Sequence, residues 1–292
     1  MTKKIAPSEL ILNPDGSIFH LHLKPGQIAK DIILVGDPGR VEMIADLFDE
    51  IEVKAQNREF VTVTGRFKGK RITVLSTGIG TDNIDIVINE LDALVNINLE
   101  TREIKDNKTS LNLIRIGTSG ALQGDIPVDA FLASRKAIGF DGLMNFYARR
   151  EEIADLAFEN AFKNYTNWNP LLASPYVVNC DEDLYNKITD DEFISGITIS
   201  APGFYGPQGR ELRLDIVDPK INDKIELFRF SDMKITNYEM ECSAIYGLSK
   251  LLGHKALTVC MIIANRLTLQ ANADHKLLMQ RLVKKILDKL TQ

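Results

Sequence analysis

Asp31-Ile-Ile-Leu-Val-Gly-Asp-Pro-Gly-Arg40 decides the fold class. Ile32 to Val35 form a short apolar run that ends abruptly in Gly36-Asp37-Pro38-Gly39. An apolar run of this length, bounded by turn residues, reads as a buried strand. The residues after it, Val41 to Phe48 (VEMIADLF), carry helical spacing. Strand, glycine turn and helix in succession make the repeating unit of an α/β sheet.

Working outward, the same grammar recurs. Arg71 to Gly80 (RITVLSTGIG) is a β-branched run ending in a glycine loop. Asn83 to Ile97 follows, with Ile84, Val87, Ile88, Leu91 and Leu94 at helical intervals. Leu111 to Leu122 (LNLIRIGTSGAL) is a third strand with a glycine-rich end. Glu151 to Tyr165 reads as an amphipathic helix and Gly196 to Phe204 as a strand. Asn237 to Gly253 (NYEMECSAIYGLSKLLG) reads as a helix with Asn237 as N-cap and Gly253 just past its end. Lys255 to Arg266 is another buried strand. The tail from His275 to Leu290 is an amphipathic helix striped by Leu278, Leu282, Val283, Ile286 and Leu290. The expectation is an α/β fold with a central, largely parallel or mixed sheet. No internal repeat or linker divides the 292 residues, so one domain over 1–292 is expected. The polar stretch at 101–110 reads as a surface excursion.

Composition narrows the function. With 45% hydrophobic and 26% charged residues this is the balance of an ordinary globular chain. The net charge of −5 gives no sign of a nucleic-acid or membrane surface, which needs clustered positive charge, and leaves room for a local arginine cluster that binds a small anion. Cys180, Cys242 and Cys260 match no zinc spacing and fit a reduced compartment. The N-terminal stretch shows no apolar core or cleavage pattern of a signal peptide, and the longest apolar run spans about half a membrane. A cytoplasmic protein without membrane or nucleic-acid partners is expected.

Three glycine loops stand at strand ends: Gly36–Arg40, Ser76–Gly80 and Gly117–Gly120. In open α/β sheets ligands bind outside the carboxyl ends of strands, and glycines let backbone amides approach them. Two nucleotide motifs fail. Asn83 stands where a dinucleotide fingerprint needs its third glycine, and Arg71 replaces the Ser/Thr of a P-loop in GRFKGKR. No NAD or P-loop nucleotide is expected.

Arg115 sits inside the apolar run NLIRIG. A buried guanidinium must meet an anion or strong acceptors, either a bound ligand or a buried carboxylate. Arg40 and Arg58 are further candidates, because the planar guanidinium fork suits phosphate. Glu239 and Glu241 fall in the first turn of the expected helix, where they favour the helix dipole or bind sugar hydroxyls. Gln208 and Arg210 lie two residues apart in the loop GFYGPQGR behind Phe204 and Tyr205. An amide and a guanidinium can read a base edge while an aromatic stacks on it. The four histidines form no convincing metal set, and no Ser/His/Asp signature is present.

GDPGR, the tripeptide Arg58-Glu-Phe60, STGIG, RIGTSGAL and NYEME, in this order, resemble the nucleoside phosphorylase superfamily, over nearly the whole stretch from Phe19 to Arg266. FYGPQGR and IIANR are most similar to the uridine phosphorylases within it. Purine-specific relatives typically carry a Ser-Asp pair near that strand end, where this chain has Ala264, Asn265 and Arg266. The resemblance implies a three-layer α/β/α fold and phosphate-dependent cleavage of uridine to uracil and ribose 1-phosphate. It places Gly36, Arg40, Arg115 and Thr118 on phosphate, with Arg58 reaching in from a neighbouring subunit. His20 would cross the interface to the ribose 5′-hydroxyl. Met240 and Glu241 would line the ribose, with Glu239 beside them. Gln208 and Arg210 would read the uracil edge, Phe204 would lie against the base, Ile262 and Ile263 would wall the pocket, and Arg266 would support the base loop. Arg115, Glu241, Gln208 and Arg210 would carry catalysis by stabilising a ribosyl cation-like transition state and the departing base.

No organic cofactor follows from the resemblance, since phosphate is a co-substrate. Glu59 and Ser76 match a monovalent-cation (K+) site of some relatives. A homo-oligomer is implied, a hexamer built as a trimer of dimers. The chain departs from the pattern at Gly-Pro-Gln-Gly-Arg, where the usual order is Pro-Gly-Gln-x-Arg, and at Cys242, where serine or alanine is common. Purine nucleoside phosphorylase, hydrolytic nucleosidase and a non-catalytic nucleoside binder remain as alternatives.

Overall fold

The computed structural model describes residues 4–292; the first three residues of the stretch read above as leader-free lie outside it. In chain order the elements are β1 (Asp31–Val35), α1 (Pro38–Ala45), β2 (Glu50–Asn57), β3 (Phe60–Phe67), β4 (Lys70–Ser76), α2 (Thr81–Asn96), β5 (Ile97–Asn98), β6 (Glu103–Ile104), β7 (Asn112–Ala121) and β8 (Phe131–Gly139). There follow α3 (Leu156–Thr166), β9 (Tyr176–Asn179), α4 (Glu182–Ile188), β10 (Phe193–Ser200), α5 (Ile221–Leu227), β11 (Arg229–Phe230), β12 (Met233–Glu239), α6 (Cys242–Leu252), β13 (Lys255–Asn265), β14 (Gln270–Ala271) and α7 (Lys276–Thr291).

The main sheet runs β11-β12-β10-β8-β13-β7-β1-β4-β3-β2. It is mixed, as the sequence implied. β1 lies parallel to β4 and β7, and β7 parallel to β13, while β13 and β8 are antiparallel. The sheet also folds back on itself. β12 pairs with β10 on one side and, through Asn237 and Tyr238, with Ala121 and Gly120 of β7 on the other. Strands β7, β13, β8, β10 and β12 therefore form a closed ring.

The core follows the sequence stripes. All five residues of β1 are buried, as a strand covered on both faces must be. α2 buries Ile84, Val87, Ile88, Leu91 and Leu94, and α7 buries Leu282, Val283, Ile286 and Leu290. These join one large cluster around β1, β4, β7 and β13. A second, aromatic cluster gathers Phe140, Phe158, Phe162, Phe228 and Tyr238 beneath β10, β12 and α3.

One sequence expectation is corrected here. Asn237 is not a helix cap. It lies in β12, fully buried, and its side-chain oxygen accepts hydrogen bonds from the Thr198 and Thr236 hydroxyls. The helix begins only at Cys242, so Glu239 ends a strand and Glu241 occupies the N-cap position. Sheet pairing on both sides outweighs the helix-forming residues of NYEME, because strand identity depends on neighbours more than on local propensity. The other end agrees with expectation: Gly253 closes the helix in the left-handed conformation, φ 80°.

Candidate active site

The carboxyl ends of β1, β4, β7, β12 and β13 surround a cavity of about 740 Å3. This is where an α/β sheet binds ligands. Gly36 reaches it from the turn after β1, Arg40 from the first turn of α1, Gly78 and Ile79 from the turn after β4, and Thr118 from β7.

Arg115 and Arg40 meet on one wall. The Arg115 side chain is 6% exposed and its Nη2 donates to Glu241, while Nη1 lies 3.6 Å from Glu239 Oε2 and 3.8 Å from Cys260 Sγ. Burial pulls this guanidinium down, but Glu241 and Glu239 outweigh it and hold it above the ordinary arginine value. So both sequence options hold for Arg115: it has buried carboxylate partners and also faces the cavity. Among the described residues its Nε has no hydrogen-bond partner. Arg40 Nη1 donates to the Ile116 carbonyl at 3.1 Å. Burial and the neighbouring Arg115 charge hold Arg40 below its ordinary value. Two guanidiniums that repel each other at a cavity wall make a site for an oxyanion, which would relieve the repulsion.

The carboxylates come from the β12–α6 elbow. Glu241 accepts from the Gly80 amide at 2.8 Å, which ties the elbow to the second glycine loop. Glu239 accepts from the Glu241 and Cys242 amides at 2.9 and 3.0 Å, and from the Ser200 hydroxyl at 2.6 Å. It thereby caps α6 from outside the helix. Burial pushes the Glu239 carboxyl above the usual range, Arg115 opposes this and Glu241 adds to it. Met240 completes the elbow's cavity face.

At the far end stands the 203–210 loop. Gln208 is 3% exposed, and its side-chain oxygen accepts from Arg210. Arg210 stacks over the Phe204 ring with 3.9 Å from Cζ to the centroid, and it donates to the Phe204 carbonyl at 2.6 Å. Arg266 donates to the carbonyls of Gln208 and Gly209 at 2.8 and 3.2 Å, anchoring the loop to the end of β13. Burial, then the Arg266 charge, lowers Arg210. The amide and guanidinium thus lie side by side at the cavity, with an aromatic ring against them.

Four expected positions stay out of this cavity. Ile262 does not wall it: a register shift between Ile262 and Ala264 turns Ile263 and Ala264 to the cavity, and Ile262 packs with Ala121, Ile126 and Leu132. His20 lies elsewhere, its Nδ1 2.6 Å from Glu90 and its carbonyl accepting from Asn57. Arg58 is exposed at the β2–β3 turn with φ 53°. Ser76 is buried, donating to the Glu59 carbonyl at 2.5 Å and accepting from the Val61 amide. The Glu59 side chain does line the cavity and accepts from Asn83 at 3.1 Å. Asp37, Asn83 and Tyr238 also line the cavity and were not singled out from the sequence. Asn83 lies in the first turn of α2 behind a glycine loop, a signal that was available; Tyr238 was hidden by the helical reading of its segment.

A family model for the phosphorylase superfamily matches residues 30–291. The chain belongs to that superfamily. Among phosphorylases it is 31% identical to the uridine phosphorylase of Thermococcus kodakarensis over 276 residues, covering 92% of this chain and 84% of that one. It is 29% identical to a DeoD-type purine nucleoside phosphorylase of Listeria welshimeri, covering 83% and 85%. Among solved structures it is similar to a Trypanosoma brucei nucleoside phosphorylase described as showing uridine phosphorylase activity, with a TM-score of 0.85 and 28% identity over 97% of this chain and 99% of that one.

Proposed function

We propose that this phosphorylase cleaves uridine with inorganic phosphate, giving uracil and ribose 1-phosphate. One observation carries the reading: Arg40 and Arg115 converge in a cavity that also holds the Glu239–Glu241 elbow and the Gln208–Arg210 loop. These three groups match the three parts of the reaction. Phosphate, held by Arg40, Arg115, Thr118 and the Gly36 turn, sits beneath the anomeric carbon, and its charge stabilises the developing ribosyl cation. Glu241 and Met240, with Glu239 beside them, hold the sugar in reacting geometry. Gln208 and Arg210 take the negative charge of the departing uracil, and Phe204 lies against the base. Phosphate binding separates Arg115 from Glu241, which frees that carboxylate for the ribose hydroxyls.

Pyrimidine preference is supported at the end of β13. Asn265 donates to the Gln123 and Ile126 carbonyls and accepts from the Leu267 and Thr268 amides. It is spent on structure, and no acid stands there to protonate a purine. Residues 1–292 act as one domain in a cytoplasmic enzyme without an organic cofactor. The oligomer is a trimer of dimers in which His20 and Arg58 serve the neighbouring subunit's site; their position outside their own cavity supports this. K+ between Glu59 and Ser76 modulates activity.

The test is base release: uracil from uridine with and without phosphate, and hypoxanthine from inosine in parallel. Phosphate-independent release would point to a hydrolase, faster inosine cleavage to a purine enzyme, and no turnover to a binding protein. Exchange of K+ for Na+ in the same assay tests the cation.

A further inference from the structure

We propose that Asp141 is a positioning residue for the sugar-binding elbow, acting as an uncharged acid in a closed hydrogen-bond ring with Tyr176 and Ser243. The inference rests on the ribose role of Met240–Glu241 given above.

Asp141 follows the end of β8, is half-buried, and lies outside the active-site cavity at the edge of a second one lined also by Trp168 and Pro207. Tyr176 comes from β9, and Ser243 is the second residue of α6, two positions after Glu241. Both the phenol and the serine are fully buried. Their three oxygens make a triangle. Tyr176 Oη lies 2.9 Å from Asp141 Oδ1 and 2.9 Å from Ser243 Oγ, and Ser243 Oγ lies 3.0 Å from Asp141 Oδ2. Each side is at hydrogen-bond length and each bond needs one proton. Tyrosine and serine hydroxyls supply two. An ionised Asp141, accepting from both hydroxyls, would leave the fully buried Tyr176–Ser243 side as two facing lone pairs. A protonated Asp141 supplies the third proton and closes the ring. Burial pushes the Asp141 carboxyl up and outweighs the Leu143 amide, which donates to Oδ1 at 2.8 Å, and the two hydroxyls, all of which pull it down.

The backbone is cut to admit this ring. A β-carbon on Gly139 would lie 2.2 Å from Tyr176 Cζ and 2.7 Å from its hydroxyl oxygen. Any side chain there would evict the phenol.

From the ring the connection to the sugar site is two bonds long. The Ser243 amide donates to Ser200 Oγ at 2.8 Å, and Ser200 Oγ donates to Glu239 Oε1 at 2.6 Å. Ser243 thus fixes the first turn of α6 from both its main chain and its side chain. The elbow that presents Met240 and Glu241 has no side-chain cap of its own at Glu241. Loosening the ring shifts the start of α6 and the ribose contacts with it, leaving the phosphate wall in place.

Four variants test this: Asp141→Asn, Asp141→Ala, Tyr176→Phe and Glu241→Ala, each assayed for KM of uridine, KM of phosphate and kcat, with Tm as a check on folding. Asp141→Asn, which keeps a neutral donor and acceptor, is expected to stay within about twofold of wild type in KM for uridine. Asp141→Ala is expected to raise that KM about tenfold with little change in KM for phosphate, the size of effect that sub-ångström misplacement produces. Tyr176→Phe should raise it about threefold, one hydrogen bond being lost. Equal damage from Asn and Ala would overturn the neutral-acid role. An unchanged KM for uridine in Asp141→Ala would overturn positioning, and if that variant fails to fold, an unchanged value in Tyr176→Phe would do so. If Glu241→Ala leaves KM for uridine unchanged, the ribose role itself fails instead.

Discussion

Gly117 stands two residues after Arg115 on the same strand, and a β-carbon there would lie 1.8 Å from Arg115 Nη1. Residues i and i+2 of a strand share a face, so the guanidinium folds over the place where the next side chain would be. The glycine matters for room, not for backbone freedom. Gly117→Ala is expected to displace the guanidinium and cut kcat/KM for phosphate by about two orders of magnitude, the cost of misplacing a reacting group by about 1 Å. Phosphate titration by calorimetry and steady-state kinetics would check it. Near wild-type phosphate binding would remove Arg115 from the phosphate wall.

Arg115→Ala removes the cation from two buried carboxylates. Besides a loss of phosphorolysis by orders of magnitude, it should destabilise the chain by about 3–5 kcal/mol, the cost of stranding a buried charge. Adding Glu239→Gln should restore part of the stability and none of the activity. Thermal unfolding of the single and double variants, read beside the uridine assay, measures both.

Gln208→Ala should weaken discrimination between bases more than turnover of the sugar. The uridine rate should fall by about two orders of magnitude, as when a hydrogen-bonding group in a base or acyl site is removed, and the residual inosine rate should fall less. Equal losses on both nucleosides would refute the base-reading role.

His20 and Arg115 offer a mixing test of shared sites. His20→Ala and Arg115→Ala proteins, each impaired alone, are unfolded together, refolded and assayed. A mixed dimer then has one site with Arg115 of its own and His20 from its neighbour, both intact. Recovered activity above the mean of the two parents is expected. No recovery would place His20 at its own subunit's site or at none.

Asp141 gives a pH signature in stability. Its carboxyl is raised above the ordinary 3.8 by burial, so the native state holds the proton more tightly than the unfolded chain. That contribution is complete below the ordinary value and is lost as pH rises through the native one. The Tm of wild type relative to Asp141→Asn should therefore decline as pH climbs from about 4 toward neutrality. A difference that grows with pH would mean that Asp141 is ionised in the fold.

The parts of this fold governed by short-range chemistry were legible in the sequence. The apolar run 32–35 with its turn, the helix that follows Gly80, Gly253 as a helix stop, and the tail stripe all depend on neighbours within a few residues. The three glycine loops and the buried Arg115 pointed to one cavity, and the family resemblance supplied the order of subsites. What escaped depends on distant partners. β12 was mistaken for helix because NYEME owes its extended form to β10 and β7. Ile262 and Ile263 could not be told apart, since an irregularity in the β13 register decides which one faces the cavity. The Asp141 ring joins residues from three separate segments, and nothing local at Phe140-Asp141-Gly142 announces it.

The return of β12 to β7 has a consequence for how such a site opens. A ring of strands has no free margin along which it could splay, so the walls that carry Arg115, Thr118, Glu239 and Ile263 are locked to one another by main-chain pairing. Substrate entry and product escape are left to the parts hung outside the hoop, the 203–217 loop foremost, where Leu212, Leu214 and Val217 stand bare to solvent. The near end of the loop, Phe204 to Arg210, belongs to the site, so substitutions at Leu212, Leu214 or Val217 should alter the pace of release before they alter the bond being broken.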